Sequence, residues 1–135
     1  MTNMPALTST EAADLARSFR QAAVSIGDFR YRNWENLSYS QHREIARLHW
    51  EVLNASEEIL VQSAVLVLNE AAQSIAAIKQ LSVRMGKILE ALSDVQKGID
   101  IISTLAAVAG SILSGNPLSV LKAINALENT IESAT

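Results

Sequence analysis

The apolar positions of this chain recur at intervals of three and four residues, the spacing of an amphipathic helix. The first run follows Thr8 and Glu11, which have the spacing of a capping box. Gly27 and Asp28 interrupt the pattern, which predicts the end of this helix and a connector over 28–37 that is extended or loosely helical. The apolar members of the run are Ala12, Leu15, Phe19, Ala22 and Ile26.

A second helical pattern follows Ser38 and Gln41, which again have capping-box spacing. Its apolar positions are Ile45, Leu48, Val52, Ala55 and Ile59. Between residues 59 and 78, 14 of 20 positions are aliphatic, so a helix continuing here must be buried on most sides.

A regular seam of apolar residues runs from Ile78 to Leu113, in alternating steps of three and four over five heptads. This spacing is typical of helices that pack as in a coiled coil. One unbroken helix over 38–114 would be about 115 Å long. We therefore expect the chain to fold back, with its weakest points at 82–86 and 93–98.

Residues 101–121 contain no charged side chain, and Gly115, Asn116 and Pro117 form a predicted turn within them. The turn divides the segment into two apolar arms, each about half a bilayer long. Two interpretations follow: a buried core or oligomer interface, which we favour, or a hairpin that enters a membrane. The residues expected to form this hairpin surface are Ile101, Ile102, Leu105, Val108, Ile112, Leu113, Leu118, Val120 and Leu121.

Length and composition fit one domain, because the 135 residues are 49% hydrophobic and 19% charged. The predicted fold is all-α: an elongated helical bundle or helical hairpin with coiled-coil-like packing and a C-terminal apolar hairpin. The expected organisation is a flexible tail over 1–8, an N-terminal helix and aromatic, arginine-rich connector over 9–37, and a helical bundle over 38–135.

Charge and cysteine content narrow the function further. A net charge of −3 disfavours nucleic acid as a partner. The absence of cysteine removes disulfides and thiolate metal sites. Residues 1–10 have no basic residue and no apolar run, so no signal peptide is evident, and we expect a soluble cytoplasmic protein or export by an unconventional route.

All six aromatic residues lie between positions 19 and 50, and six of the seven arginines lie between positions 17 and 49. Tryptophan, tyrosine and arginine are enriched in protein-binding hot spots. Three alternatives remain open: the two tryptophans cap the aliphatic core, or the cluster contacts a membrane interface, or it stacks on nucleic-acid bases. The candidate partner-binding residues are Arg30, Tyr31, Arg32, Trp34 and Trp50.

No pattern of catalytic or cofactor-binding residues is present. His42 and His49 are seven residues apart, and Glu44 and Glu51 each follow a histidine by two residues, so neither pair shares a helix face. The chain has no phosphate-binding glycine loop and no nucleophile elbow. We therefore expect no enzyme activity, no cofactor, no metal and no small-molecule substrate.

The long amphipathic pattern ending in a small-residue apolar hairpin resembles the helical pore-forming toxins, such as cytolysin A and the tripartite haemolysins. The resemblance extends over Ser38 to Leu127 and implies a hairpin that is hidden in the soluble state and enters a membrane on assembly. Those toxins have another long helix after the hairpin, whereas only about 18 residues remain here. The sequence predicts a non-enzymatic assembly or interaction protein that forms a homo-oligomer or docks a partner helix. The alternative is a membrane-active pore-forming component that inserts residues 101–121.

Overall fold

The structure is a computed structural model that describes Pro5–Ala134. Within this range the chain forms five α-helices and one short 3-10 helix, and no strand. The prediction of an all-α bundle is therefore confirmed. The helices are α1 (Ser9–Arg32), α2 (Tyr39–Gln62), α3 (Ala71–Ala91), α4 (Val95–Leu113) and α5 (Pro117–Ser133), and the 3-10 helix is Trp34–Asn36.

Side-chain caps fix the starts of four helices. Both predicted capping boxes are formed, since Thr8 caps α1 with Glu11 and Ser38 caps α2 with Gln41. Each cap hydroxyl accepts a backbone N–H at 3.1 Å, which satisfies a donor that the helix itself leaves unpaired. Asp94 and Asn116 cap α4 and α5 by the same chemistry, and proline follows Asn116 as predicted.

The five helices close into a ring in the order α1, α2, α4, α5, α3, with α3 returning to α1. Ser25 meets Gly86 and Arg32 meets the carbonyl of Leu89, so α1 and α3 run in the same direction. Gln41 and Gln96 contact each other near the starts of α2 and α4, so these two helices are also parallel.

Each helix turns its apolar residues into the centre of the ring, where they form one core. Phe19 and Phe29 are the two aromatic members of this core, and both are completely buried. At the end of the bundle where α1 finishes, the Phe29 ring lies directly on the backbone of Gly98 in α4. The absence of a side chain at Gly98 therefore sets how closely α1 and α4 approach.

The predicted end of α1 at Gly27 and Asp28 is wrong, because the helix continues through both residues to Arg32. The connector is correspondingly short. Phe29 explains the difference: its burial against α4 rewards one more helical turn, and this outweighs the low helix propensity of a single glycine.

The predicted fold-back at 82–86 is also wrong, because these residues lie inside α3. The chain instead leaves the helix over residues 63–70, within the aliphatic stretch where a continuous helix was expected. Leu66 and Leu68 are buried there, so this segment closes one end of the core rather than extending α2. It ends at Glu70, whose left-handed φ of 48° turns the chain into α3.

The break over residues 92–94 overlaps the start of the other predicted weak point, 93–98, whose remaining residues belong to α4. It divides the regular apolar seam between α3 and α4. Ile78 and Met85 belong to one helix, and Ile99 and Ile102 to the next, so the heptads do not form a continuous coiled coil.

The predicted N-terminal tail lies partly outside the described residues, which begin at Pro5. Leu7 is buried, and its backbone N–H donates to the carbonyl of Leu66 at 2.8 Å. This hydrogen bond ties the entry to α1 onto the 63–70 segment.

Replacing two glycines of α4 by alanine should change the stability of the fold in opposite directions. A Cβ at Gly98 would come within 2.8 Å of Phe29 Cε1, whereas a Cβ at Gly110 has no neighbour within 4 Å. We expect Gly98→Ala to destabilise the fold by about 1–3 kcal/mol through overpacking. Gly110→Ala should stabilise it by up to about 1 kcal/mol through helix propensity. Urea unfolding followed by circular dichroism measures both, and equal effects would contradict the assigned contact.

Candidate functional site

An aromatic and basic cluster covers the turn between α1 and α2. The Trp34 and His42 rings have centroids 4.3 Å apart at an interplanar angle of 59°. The Arg30 guanidinium carbon lies 4.9 Å from the centre of the Trp34 ring, a cation–π distance. Trp34 thus contacts both a cation and an imidazole and remains 53% exposed.

Hydrogen bonds in this cluster determine which nitrogen of the His42 ring carries the hydrogen. Arg30 Nε donates to His42 Nδ1 at 3.3 Å, and His42 Nε2 lies 2.9 Å from the carbonyl oxygen of Trp34. Because Nδ1 must accept, the hydrogen is assigned to Nε2, which donates to Trp34. Both ring nitrogens are therefore engaged in positioning the connector.

Tyr31 and Arg32, the other two candidate residues of this region, lie at the end of α1. They differ in whether they contact the rest of the bundle. Arg32 donates from Nη2 to the carbonyl of Leu89 at 2.9 Å and so joins α1 to the end of α3. Tyr31 projects from the surface and is 82% exposed. Arg32 is thus engaged in the bundle, while Tyr31 is available for contact.

A second surface runs along the outer face of α2, opposite its buried positions. It combines large exposed apolar side chains with charged ones, and we call it the α2 stripe. Trp50 is 64% exposed at its centre and Val61 is 77% exposed towards its end. The stripe consists of Tyr39, Arg43, Arg47, Trp50, Leu53, Glu57, Leu60 and Val61.

The charged residues of the α2 stripe differ in whether they form ion pairs. Arg47 pairs with Glu44 at 2.7 Å and with Glu51 at 2.6 Å. The hydrogen bond to Glu44 and the charge of Glu51 raise the pKa of Arg47. Arg43 lies 5.8 Å from the centre of the Tyr39 ring, and within Pro5–Ala134 neither Arg43 nor Glu57 forms an ion pair.

The structure separates the five predicted partner-binding residues. Four of them surround the connector, whereas Trp50 lies eleven residues into α2 after Tyr39, or about 16 Å along the helix axis. The alternative in which both tryptophans cap the core is wrong, since Trp34 and Trp50 are each more than half exposed. The buried aromatic residues are phenylalanines instead.

The apolar hairpin is formed by α4 and α5, joined by a turn at residues 114–116. Most of its predicted surface faces the core: Ile101, Ile102, Leu105, Val108, Ile112 and Val120 are buried. Leu113 and Leu121 are half-buried, and Leu118 is 67% exposed. Helix α4 is the one helix in the described part of the chain that is long and apolar enough to span a membrane, and half of its apolar window is buried.

The two histidines lie in different surroundings. His49 faces α1, where its Nε2 would be 3.8 Å from a Cβ at Gly27, whereas His42 belongs to the connector cluster. Among residues 5–134, no three histidine or carboxylate side chains converge as they would to hold a metal ion.

The sequence pattern singled out Trp50 as a candidate, which stays a prediction, but not the exposed apolar residues that lie beside it on α2. The signal was present, because the buried register of Ile45, Leu48 and Val52 places Leu53, Leu60 and Val61 on other faces of the helix. Apolar residues outside the core register indicate a second contact surface.

Comparison with protein-family models, with curated protein sequences and with solved structures gives no match for this chain.

The role of His42 beside Trp34 can be tested in a Trp50→Phe background. Of the two tryptophans in the chain, Trp34 alone then remains. His42→Ala removes the acceptor for Arg30 and the donor to the Trp34 carbonyl. We expect a red shift of Trp34 emission and a loss of about 1 kcal/mol in unfolding free energy. The control is Arg43→Ala, an exposed position one residue further on. An unchanged emission maximum in His42→Ala would contradict the role of His42.

Proposed function

We propose that this protein is a non-enzymatic interaction protein that acts by burying the α2 stripe against another helical surface, either a partner helix or a further copy. The single observation that carries this proposal is the line of large apolar side chains exposed on a helix whose opposite face already completes the core. Leaving Trp50 and Val61 in water has a free-energy cost, which burial in a complex would remove.

The composition of the two surfaces supports the same function. Tryptophan, tyrosine and arginine carry much of the binding energy in protein interfaces, and the α2 stripe has all three types. Tyr31 and Trp34 at the connector offer a second exposed aromatic surface of the same chemistry. The α2 stripe is presented by a helix whose opposite face is packed in the core, so little ordering of this surface would be needed on binding.

Photo-crosslinking in the cells that produce the protein tests this function. Trp50→p-benzoylphenylalanine places the reactive group at the centre of the α2 stripe. We expect a covalent adduct of discrete mass, identified by mass spectrometry, because the stripe is buried in a complex. The matched control places the same group at Glu128, an exposed position of α5. No adduct at position 50, or equal adducts at both positions, would reject the proposal.

A second candidate function is membrane activity through the α4–α5 hairpin, supported by the apolar length of α4 and the charge-free stretch over 101–121. Insertion would require the bundle to open, because the hairpin's large side chains pack in the core. The resemblance of the sequence pattern to helical pore-forming toxins also favours membrane activity, since those proteins hide a hairpin before assembly.

The exposed position Ala107 separates this candidate from the first. Ala107→Glu places a charge on the outer face of α4, so we expect the unfolding free energy to change by less than about 0.5 kcal/mol. The same charge in the hydrocarbon would cost about 2.5 kcal/mol or more. If the protein inserts, dye release from liposomes should fall strongly in this variant while the fold is retained. Wild-type protein that neither floats with liposomes nor releases dye would reject membrane activity.

A further inference from the structure

We infer that the α2 stripe binds the α2 stripe of a second copy in antiparallel orientation, with Trp50 of both copies at the two-fold axis. This inference rests on the proposed function and names its partner. It is carried by a symmetry in the placement of charged and apolar residues about Trp50.

The centre line of the stripe is nearly straight. At about 100° per residue, Tyr39, Arg43, Trp50, Glu57 and Val61 fall within roughly 40° of one another around the helix. The buried positions of α2 lie on the opposite side. A second helix laid along this line can therefore contact all five side chains at once.

The charges on this line are complementary under a two-fold rotation. Arg43 lies seven residues before Trp50, and Glu57 lies seven residues after it. In an antiparallel pair centred on Trp50, Arg43 of each copy faces Glu57 of the other, which gives two ion pairs. Arg43 and Glu57 have no ion-pair partner within residues 5–134, so both are free to form these pairs.

The apolar residues show the same symmetry. Tyr39 lies eleven residues before Trp50 and Val61 eleven residues after it, so the Tyr39 ring of one copy covers Val61 of the other. At 78% and 77%, these are two of the most exposed large hydrophobic side chains among residues 5–134. Trp50 meets its own counterpart at the centre, as an isologous interface requires.

Other arrangements lose this complementarity. A parallel pair places Arg43 on Arg43 and Glu57 on Glu57, and like charges in contact disfavour association. Shifting the antiparallel pair by one heptad in one direction places Arg43 opposite Ala64. Shifting it in the other direction places Glu57 opposite Asn36, which lies before the start of α2. Only the register centred on Trp50 pairs both charges and both ends of the stripe.

The surface of α4 beside the stripe carries small exposed residues. Helix α4 packs next to α2, and its exposed positions between residues 103 and 110 are Ser103, Ala107 and Gly110. A contact from Tyr39 to Val61 is about 33 Å long and about 10 Å wide, so it buries roughly 700 Å² over both copies. This is below the area of stable complexes, so the dimer should be weak and dependent on concentration.

Charge reversal tests the pairing. Arg43→Glu and Glu57→Arg each replace two attractive contacts by two repulsive ones, so we expect each variant to dimerise at least about tenfold more weakly than wild type. Mixed together, the two variants restore both ion pairs and should form a heterodimer of wild-type affinity. Sedimentation velocity over a hundredfold concentration range, up to sub-millimolar protein, measures all four samples.

Matched controls keep the same charge changes away from the stripe: Arg84→Glu on α3 and Glu128→Arg on α5, both at exposed positions. Circular dichroism establishes that every variant is folded. A cysteine at the axis gives an independent measurement, since the chain has no cysteine of its own. Trp50→Cys should form a disulfide-linked dimer on mild oxidation, and Val24→Cys, at another exposed apolar position, should not.

The outcomes separate this inference from the function on which it rests. Monomeric wild-type protein at the highest concentration overturns the second copy as partner, while a heterologous adduct at position 50 would leave the proposed function standing. Self-association that is unaffected by the single charge reversals, or not restored by mixing them, overturns the antiparallel register.

Discussion

Each helix of this protein has one apolar face, and the closed ring is the arrangement that lets all five faces meet in a single core. Phe29 shows how strict this requirement is, because its ring fills the space that a side chain at Gly98 would occupy. Helix α1 extends beyond the point at which its sequence pattern weakens in order to make that contact. The ring in turn leaves each helix with an outer face that is free to carry other chemistry.

Much of the fold could be predicted from local chemistry. The caps at Thr8 and Ser38 and the turn before Pro117 depend on residues close together in sequence, so their patterns were sufficient. The two misplaced breaks depended on distant contacts. Gly27 does not end α1 because Phe29 packs on another helix, and residues 63–70 leave the helix because two leucines there close the core.

The candidate site could be predicted only in part, for the same reason. Composition identified the aromatic and basic region, but sequence proximity grouped Trp50 with residues that lie at the end of the bundle. Only the packing of α2 in the folded bundle shows which of its side chains remain exposed. The His42 hydrogen bonds likewise depend on the turn that brings α1 and α2 together, and no spacing in the sequence indicates them.

The order of helices around the ring also bears on how the chain folds. The pairs α1–α2 and α4–α5 join sequence neighbours through short connections, so each hairpin can form with little loss of chain entropy. Helix α3 instead packs on α1 and α5, and its contacts with α1 span more than fifty residues, as the Arg32 to Leu89 hydrogen bond shows. Docking of α3 is therefore a non-local step, as is the packing of α2 on α4, and such steps are slow relative to the formation of a hairpin. Until they occur, the core faces of both hairpins remain open along one side.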